Sequence, residues 1–222
     1  MCGRYVLRSR AEAIAEEFDL PDVPLLEPRY NIAPTQPVAA VRIDPQRHER
    51  EFTALRWGLI PSWADDPALG NRMINARAET AAEKPAYRSA FRLRRCLVLA
   101  DGFYEWAKAD GAKQPHYFQL KDGGPFAFAG LWERWAKGEE PIESCTLLTT
   151  EANDVVSPVH QRMPVILEPE DYGRWLDPQR RRLEDVSAIL RPFPAKRMLA
   201  YPVGRFVNDP RNEDPRCVER VA

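Results

Sequence analysis

The sequence predicts an α+β fold, in which residues 1–222 form a β-rich single domain with a strongly curved, barrel-like antiparallel or mixed sheet and peripheral helices. Segments rich in β-branched and aromatic residues follow one another closely between residues 96 and 150, as strands joined by hairpins do. Helical patterns are confined to the margins, so the chain lacks the alternation of strands and helices that builds a doubly wound sheet. A chain of 222 residues that is 44% hydrophobic can also bury one large core.

The first predicted element is a short helix over residues 9–20. Ser9 is placed to cap this helix and Glu12 to complete a capping box. Ile14 and Phe18 share one face, which we expect to be buried. The elements predicted next are a proline-rich loop over 21–37 and strands over 37–44 and 52–60.

The centre and the C-terminal part of the chain supply most of the predicted sheet. A turn signal, Asp122-Gly123-Gly124, separates two aromatic segments and predicts a hairpin. Pro169 suits the first turn of a helix that ends near Leu176. The remaining predicted elements are strands within 96–106, 116–120, 126–132, 145–150, 163–167 and 198–203, and an amphipathic helix over 179–190.

Charge and cysteine usage restrict the possible functions. A formal net charge of −1 argues against indiscriminate binding of duplex DNA, although it leaves room for a localised basic groove. Four scattered cysteines, at positions 2, 96, 145 and 217, suggest neither a disulfide framework nor a zinc site. With no membrane-length apolar run and no signal-peptide pattern, we expect a cytoplasmic protein.

Cys2 is the first candidate for chemistry. Removal of Met1 would give this residue a free α-amine beside its thiol, with pKa values near ~8 and ~8.5, so that a minority of each group is reactive at neutral pH. The amine can form a Schiff base with an aldehyde, and the thiol can then close a five-membered thiazolidine ring. The alternative is a chance cysteine at a frayed terminus.

Two further side chains suit proton transfer. In an extended segment Glu105 shares a face with apolar neighbours, and the resulting loss of solvent would raise its pKa toward neutrality. A Glu at a strand end that faces solvent or pairs with an arginine is the alternative. His160 lies in a proline-bracketed loop and is the best candidate for an acid or base among three histidines, with a structural hydrogen-bonding role as its alternative.

Binding residues are suggested by two polar and aromatic segments. Asn75 could hold a nucleophile or a substrate hydroxyl, and Arg77 could bind phosphate. Equally, the asparagine could cap a helix while Arg77 pairs with Glu79 or Glu83. Trp63, in a proline-rich loop, could stack on a nucleic-acid base.

Six motifs in order make the chain similar to the SOS-response-associated peptidase (SRAP) family, whose members crosslink to abasic sites in single-stranded DNA. The motifs are Cys2-Gly3-Arg4-Tyr5, Arg29-Tyr30-Asn31-Ile32-Ala33-Pro34, Trp57-Gly58-Leu59-Ile60-Pro61, Ile74-Asn75-Ala76-Arg77, Asp101-Gly102-Phe103-Tyr104-Glu105-Trp106 and His160-Gln161-Arg162-Met163-Pro164. Together with two segments near the C-terminus they cover nearly the whole chain.

The resemblance implies a role for each matching residue. Cys2 would be the nucleophile and Asn75 would position it and the substrate. Glu105 would act as acid and base beside the amine, and His160 would assist opening of the abasic sugar. The implied DNA-binding residues are Arg4, Arg77 and Arg162 at phosphates, Thr149 at the site, and Pro34 and Trp63 along the groove. Family members often carry a second aromatic residue beside Trp63, and here that position is Ala64.

The resemblance therefore implies a covalent thiazolidine crosslink that shields an abasic site during replication, with a possible lyase side activity. It implies no cofactor or metal, a monomer, and single-stranded DNA as partner, including DNA at single-strand to double-strand junctions, with association with the nucleoid when bound. Two other functions remain open from the residues alone. One is an N-terminal-nucleophile hydrolase or cysteine peptidase, and the other is a noncatalytic single-stranded DNA binder.

Overall fold

The computed structural model describes residues 2–109 and 112–221. The strands in this part of the chain are β1 (Tyr5–Leu7), β2 (Arg29–Ile32), β3 (Pro37–Ile43), β4 (Arg50–Trp57), β5 (Asn75–Arg77), β6 (Arg95–Ala100), β7 (Gly102–Ala109), β8 (Ala112–Leu120), β9 (Phe126–Trp135), β10 (Ile142–Glu151), β11 (Arg162–Pro164), β12 (Ile166–Leu167) and β13 (Met198–Pro202). The α-helices are α1 (Ala11–Phe18), α2 (Ala78–Ala81), α3 (Arg88–Leu93), α4 (Tyr172–Leu176) and α5 (Leu183–Val186). Short 3-10 turns cover Pro67–Arg72, Pro169–Asp171, Ser187–Ile189, Ala195–Arg197, Arg205–Asn208 and Pro215–Val218.

Five strands close into a barrel. Strand β3 pairs with β4 and β6, β6 with β9, and β9 with β10, all antiparallel, and β10 returns to β4 in parallel. Closure leaves none of these five strands as a fully open edge. The α+β class and the barrel-like mixed sheet are thus confirmed.

A second sheet, in the order β13-β8-β7-β1-β2, packs one face against the barrel. Phe103 of β7 stacks on Phe118 of β8 and contacts Phe128 of the barrel edge-on, with ring centroids 5.0 and 6.1 Å away. The opposite face, which carries Tyr104, packs under the C-terminal segment in a separate apolar cluster. Because side chains alternate along a strand, Glu105 points to the barrel side together with Phe103.

Several local predictions need correction. Ser9 is not the cap of α1; Arg10 is the N-cap residue, and the Ser9 hydroxyl and amide donate to the Asp101 carboxylate instead. Ile14 and Phe18 are buried as predicted. The predicted loop over 21–37 contains strand β2, and the predicted helix over 179–190 shortens to α5 and one 3-10 turn. No helix within residues 2–109 and 112–221 is long and apolar enough to cross a membrane.

Gly58 fixes the segment that leads into β5. Its φ of +126° favours glycine, and a Cβ there would lie 2.6 Å from the carbonyl oxygen of Gly70. We expect Gly58→Ala to lower the free energy of unfolding by about 1–3 kcal/mol, because alanine is strained at this positive φ and its Cβ would clash with the Gly70 carbonyl oxygen. In a chemical denaturation series, Gly124→Ala is the control, since nothing lies within 4 Å of its added Cβ. Equal stability of the two variants would contradict the prediction.

Candidate active site

Cys2 lies at the start of β1 and is completely buried. Strand β1 is held on both sides, by β2 and by β7, and the Tyr104 amide donates to the Arg4 carbonyl oxygen at 3.0 Å. The Cys2 thiol itself lies 3.8 Å from that same oxygen and donates to it. The frayed-terminus alternative for Cys2 is therefore wrong.

Asn75 binds the backbone of Cys2. Its Nδ2 donates to the Cys2 carbonyl oxygen at 2.7 Å. Strand β5 holds Asn75 there by pairing in parallel with β10, opposite Leu147, and the Trp57 indole donates to the Ile74 carbonyl oxygen at 2.9 Å. The Asn75 Oδ1 atom is buried and accepts no hydrogen bond from the described residues. One end of the amide thus fixes Cys2, and the other end offers an acceptor.

Glu105 is a buried carboxylate that lies within electrostatic reach of both Cys2 and His160. It is 4% exposed, and burial raises its pKa, while the charge of nearby His160 partly opposes the increase. Burial also raises the pKa of the Cys2 thiol, and the charge of Glu105 raises it further. The solvent-facing alternative for Glu105 is wrong because the side chain is buried. A raised pKa is typical of carboxyl groups that transfer protons.

His160 is anchored through one ring nitrogen. Its Nδ1 lies 2.9 Å from the Arg162 amide nitrogen and 3.0 Å from the Arg162 carbonyl oxygen. A neutral ring with its proton on Nε2 accepts from the amide, and a protonated ring donates to the carbonyl oxygen. The Arg162 backbone therefore orients the imidazole through Nδ1.

Arg162 and Thr149 meet at the edge of this cluster. The Arg162 Nη2 atom donates to the Thr149 carbonyl oxygen at 2.6 Å. Arg162 also forms a two-pronged ion pair with Glu79, at 2.7 and 2.9 Å. Arg77, which is exposed, lies opposite Thr149 in the register of β5 and β10. One alternative from the sequence paired Arg77 with Glu79 or Glu83. The hydrogen-bonded partner of Glu79 is instead Arg162, which lies far from it along the chain.

The other predicted DNA-binding residues lie outside these contacts. The Arg4 Nη1 atom donates to Asn31 Oδ1 at 2.8 Å and to the Val207 carbonyl oxygen at 3.0 Å, so this guanidinium ties β1 to the C-terminal segment. Trp63 is 55% exposed, as a base-stacking residue must be. Pro34 is half-buried.

Across residues 2–109 and 112–221, no three His, Cys, Asp or Glu side chains cluster as metal ligands would. The four free cysteines are all buried.

A family model described as SOS response associated peptidase (SRAP) matches residues 1–210. The chain belongs to the SRAP family. It is 42% identical to the abasic site processing protein YoqW of Bacillus subtilis (strain 168), with 99% of each chain covered. It is 34% identical to the abasic site processing protein HMCES of Gallus gallus, over 86% of this chain and 66% of that protein.

SRAP membership agrees with the architecture. A crystal structure of a Bacteroides thetaiotaomicron protein superimposes with a TM-score of 0.88 at 27% identity, with both chains fully covered. A crystal structure of a Bordetella bronchiseptica protein superimposes with a TM-score of 0.75 at 32% identity, over 91% of this chain and all of the other chain. In this SRAP chain, Asn75 hydrogen-bonds the distant Cys2, and both Cys2 and His160 lie within electrostatic reach of Glu105.

Proposed function

We propose that this protein recognises abasic sites in single-stranded DNA and captures them covalently through Cys2, once removal of Met1 has freed its α-amine. The observation that carries the proposal is a buried Cys2 whose carbonyl is held by Asn75 beside a carboxylate of raised pKa, Glu105. The names of the relatives, abasic site processing proteins, support the same substrate. The crosslink would shield the lesion during replication.

The first chemical steps use the imidazole and the amine. An abasic deoxyribose is mostly a closed hemiacetal. Its ring opens when O4′ takes a proton from the His160 imidazolium as the C1′–O4′ bond breaks, and the C1′ hydroxyl loses its own proton to water, which leaves the C1′ aldehyde. The Cys2 amine then attacks C1′ to give a carbinolamine. Loss of water, with Glu105 transferring the protons, leaves an imine between C1′ and the Cys2 nitrogen.

Ring closure requires removal of the thiol proton. Because burial raises the pKa of the Cys2 thiol, the resting thiol is neutral, and even the minority of thiolate that an ordinary pKa would give at neutral pH is lost. We infer that the Glu105 carboxylate accepts this proton as sulfur bonds to C1′, and that the imine nitrogen gains one in return. Thiol and amine belong to one residue, which gives the closure a high effective concentration. An imine left open would permit β-elimination, a lyase side reaction.

Denaturing electrophoresis tests this function. After incubation with a single-stranded oligonucleotide that carries one abasic site, we expect a band of protein covalently joined to DNA, and no such band with the undamaged oligonucleotide. Salt-sensitive binding that vanishes on denaturation would indicate the noncatalytic binder instead. Hydrolysis of peptides without DNA would favour the peptidase.

A further inference from the structure

Glu79 holds the guanidinium edge of Arg162 that a DNA phosphate would use. Its two carboxylate oxygens accept from Nη1 and Nη2, at 2.7 and 2.9 Å. A phosphate presents two oxygens to an arginine fork in the same way. Within the described residues the Arg162 Nε atom is buried without a hydrogen-bond partner, and Nη2 also donates to the Thr149 carbonyl oxygen. The edge toward solvent is thus the one that Glu79 occupies.

Exposure and charge place Glu79 on the approach path of the DNA backbone. Its side chain is 47% exposed, compared with 19% for Arg162, so a group arriving from solvent meets the carboxylate first. Hydrogen bonding to Arg162 lowers the Glu79 pKa, and the charge of Arg77 contributes in the same direction. Glu79 is therefore ionised at neutral pH and lies within electrostatic reach of two arginines, Arg77 and Arg162, to which the family resemblance gives the role of binding phosphates.

We propose that Glu79 competes with the DNA backbone for Arg162, so that this ion pair must open before a phosphate binds. The inference rests on the proposed function of the site. Its consequence is selectivity, because the competing carboxylate weakens reversible binding of undamaged single strands. An abasic strand is retained nevertheless, because the covalent bond to Cys2 holds it after the ion pair has opened.

Binding of an undamaged, fluorescein-labelled single-stranded oligonucleotide, followed by anisotropy, tests the inference. Glu79→Gln keeps the shape of the side chain but removes its charge. We expect this variant to bind about two- to fivefold more tightly than Glu83→Gln, because no ion pair has to open before a phosphate reaches Arg162. Glu83→Gln is the matched control, since it removes the same charge from a nearby exposed position.

Two further measurements separate the explanations. In an Arg162→Ala background, Glu79→Gln should bind no more tightly than Glu83→Gln, because the contested guanidinium is gone. Equal or weaker binding of Glu79→Gln in the otherwise unchanged protein overturns the inference; weaker binding would mean that Glu79 holds Arg162 ready for DNA. If the unchanged protein still crosslinks abasic DNA in that case, the proposed function stands. If neither the unchanged protein nor Glu79→Gln binds or crosslinks DNA, both proposals fail.

Discussion

A Cys2→Ser variant is expected to form no stable crosslink with abasic DNA, while borohydride should still trap it on the DNA. Serine keeps the α-amine, so the imine can form, and reduction converts that imine into a stable secondary amine. The hydroxyl is a much poorer nucleophile than the thiol, so ring closure is lost. Denaturing gels with and without borohydride measure both outcomes on the same samples.

The matched control for Cys2→Ser is Cys217→Ser. Cys217 is also fully buried, but it belongs to the separate apolar cluster under the C-terminal segment. The Cys217→Ser variant should crosslink at the rate of the unchanged protein. A thermal unfolding curve establishes that the variant is folded. A stable crosslink from Cys2→Ser without borohydride would show that the thiol takes no part in the final product.

Glu105→Gln is expected to slow crosslink formation by roughly 10²- to 10⁴-fold, the range for loss of a general acid–base catalyst. The amide matches the carboxyl in shape but cannot transfer protons for carbinolamine dehydration or accept the thiol proton. Single-turnover rates with abasic oligonucleotide in excess measure the effect. Glu83→Gln, an exposed change of the same type, should leave the rate within about twofold.

The same substitution is expected to raise thermal stability at neutral pH. The pKa of Glu105 in the folded protein lies above its ordinary value of 4.5, so folding favours the neutral carboxyl. Stability from this group is fully present below pH 4.5 and is lost as the pH rises through the folded pKa. The amide of Glu105→Gln does not ionise, so the variant does not lose stability as the pH rises. Its Tm should therefore exceed that of the unchanged protein at pH 8 and match it at pH 4. A lower Tm at pH 8 would contradict the desolvation argument.

The strands of the barrel were predictable from the sequence because each of them is marked by its own local residue pattern. β6 and β9 are almost entirely buried, so their apolar, β-branched and aromatic runs are continuous and easily recognised. β2 and β5 have four and three residues and exist through pairing with distant strands. No local pattern marks such strands, and the prolines around β2 pointed to a loop.

The sequence can nominate residues for the candidate site, but it cannot predict their electrostatic environment. The resemblance of the motifs to the family assigned Cys2, Asn75, Glu105 and His160 to one candidate site. The alternation of side chains along a strand placed Glu105 on the buried face. The neutral state of the Cys2 thiol could not be foreseen, because its raised pKa depends on burial between two sheets. The ion pair of Glu79 with Arg162 joins residues far apart along the chain and needed the three-dimensional structure.

Mass spectrometry of the crosslinked N-terminal peptide, after digestion of both protein and DNA, is the most direct test of covalent capture at Cys2. The account predicts a peptide that begins at Cys2, lacks Met1 and carries the sugar remnant with the loss of one water, its amine and thiol both blocked to alkylation. A crosslink mapped to a lysine, or to a peptide that retains Met1, would contradict it.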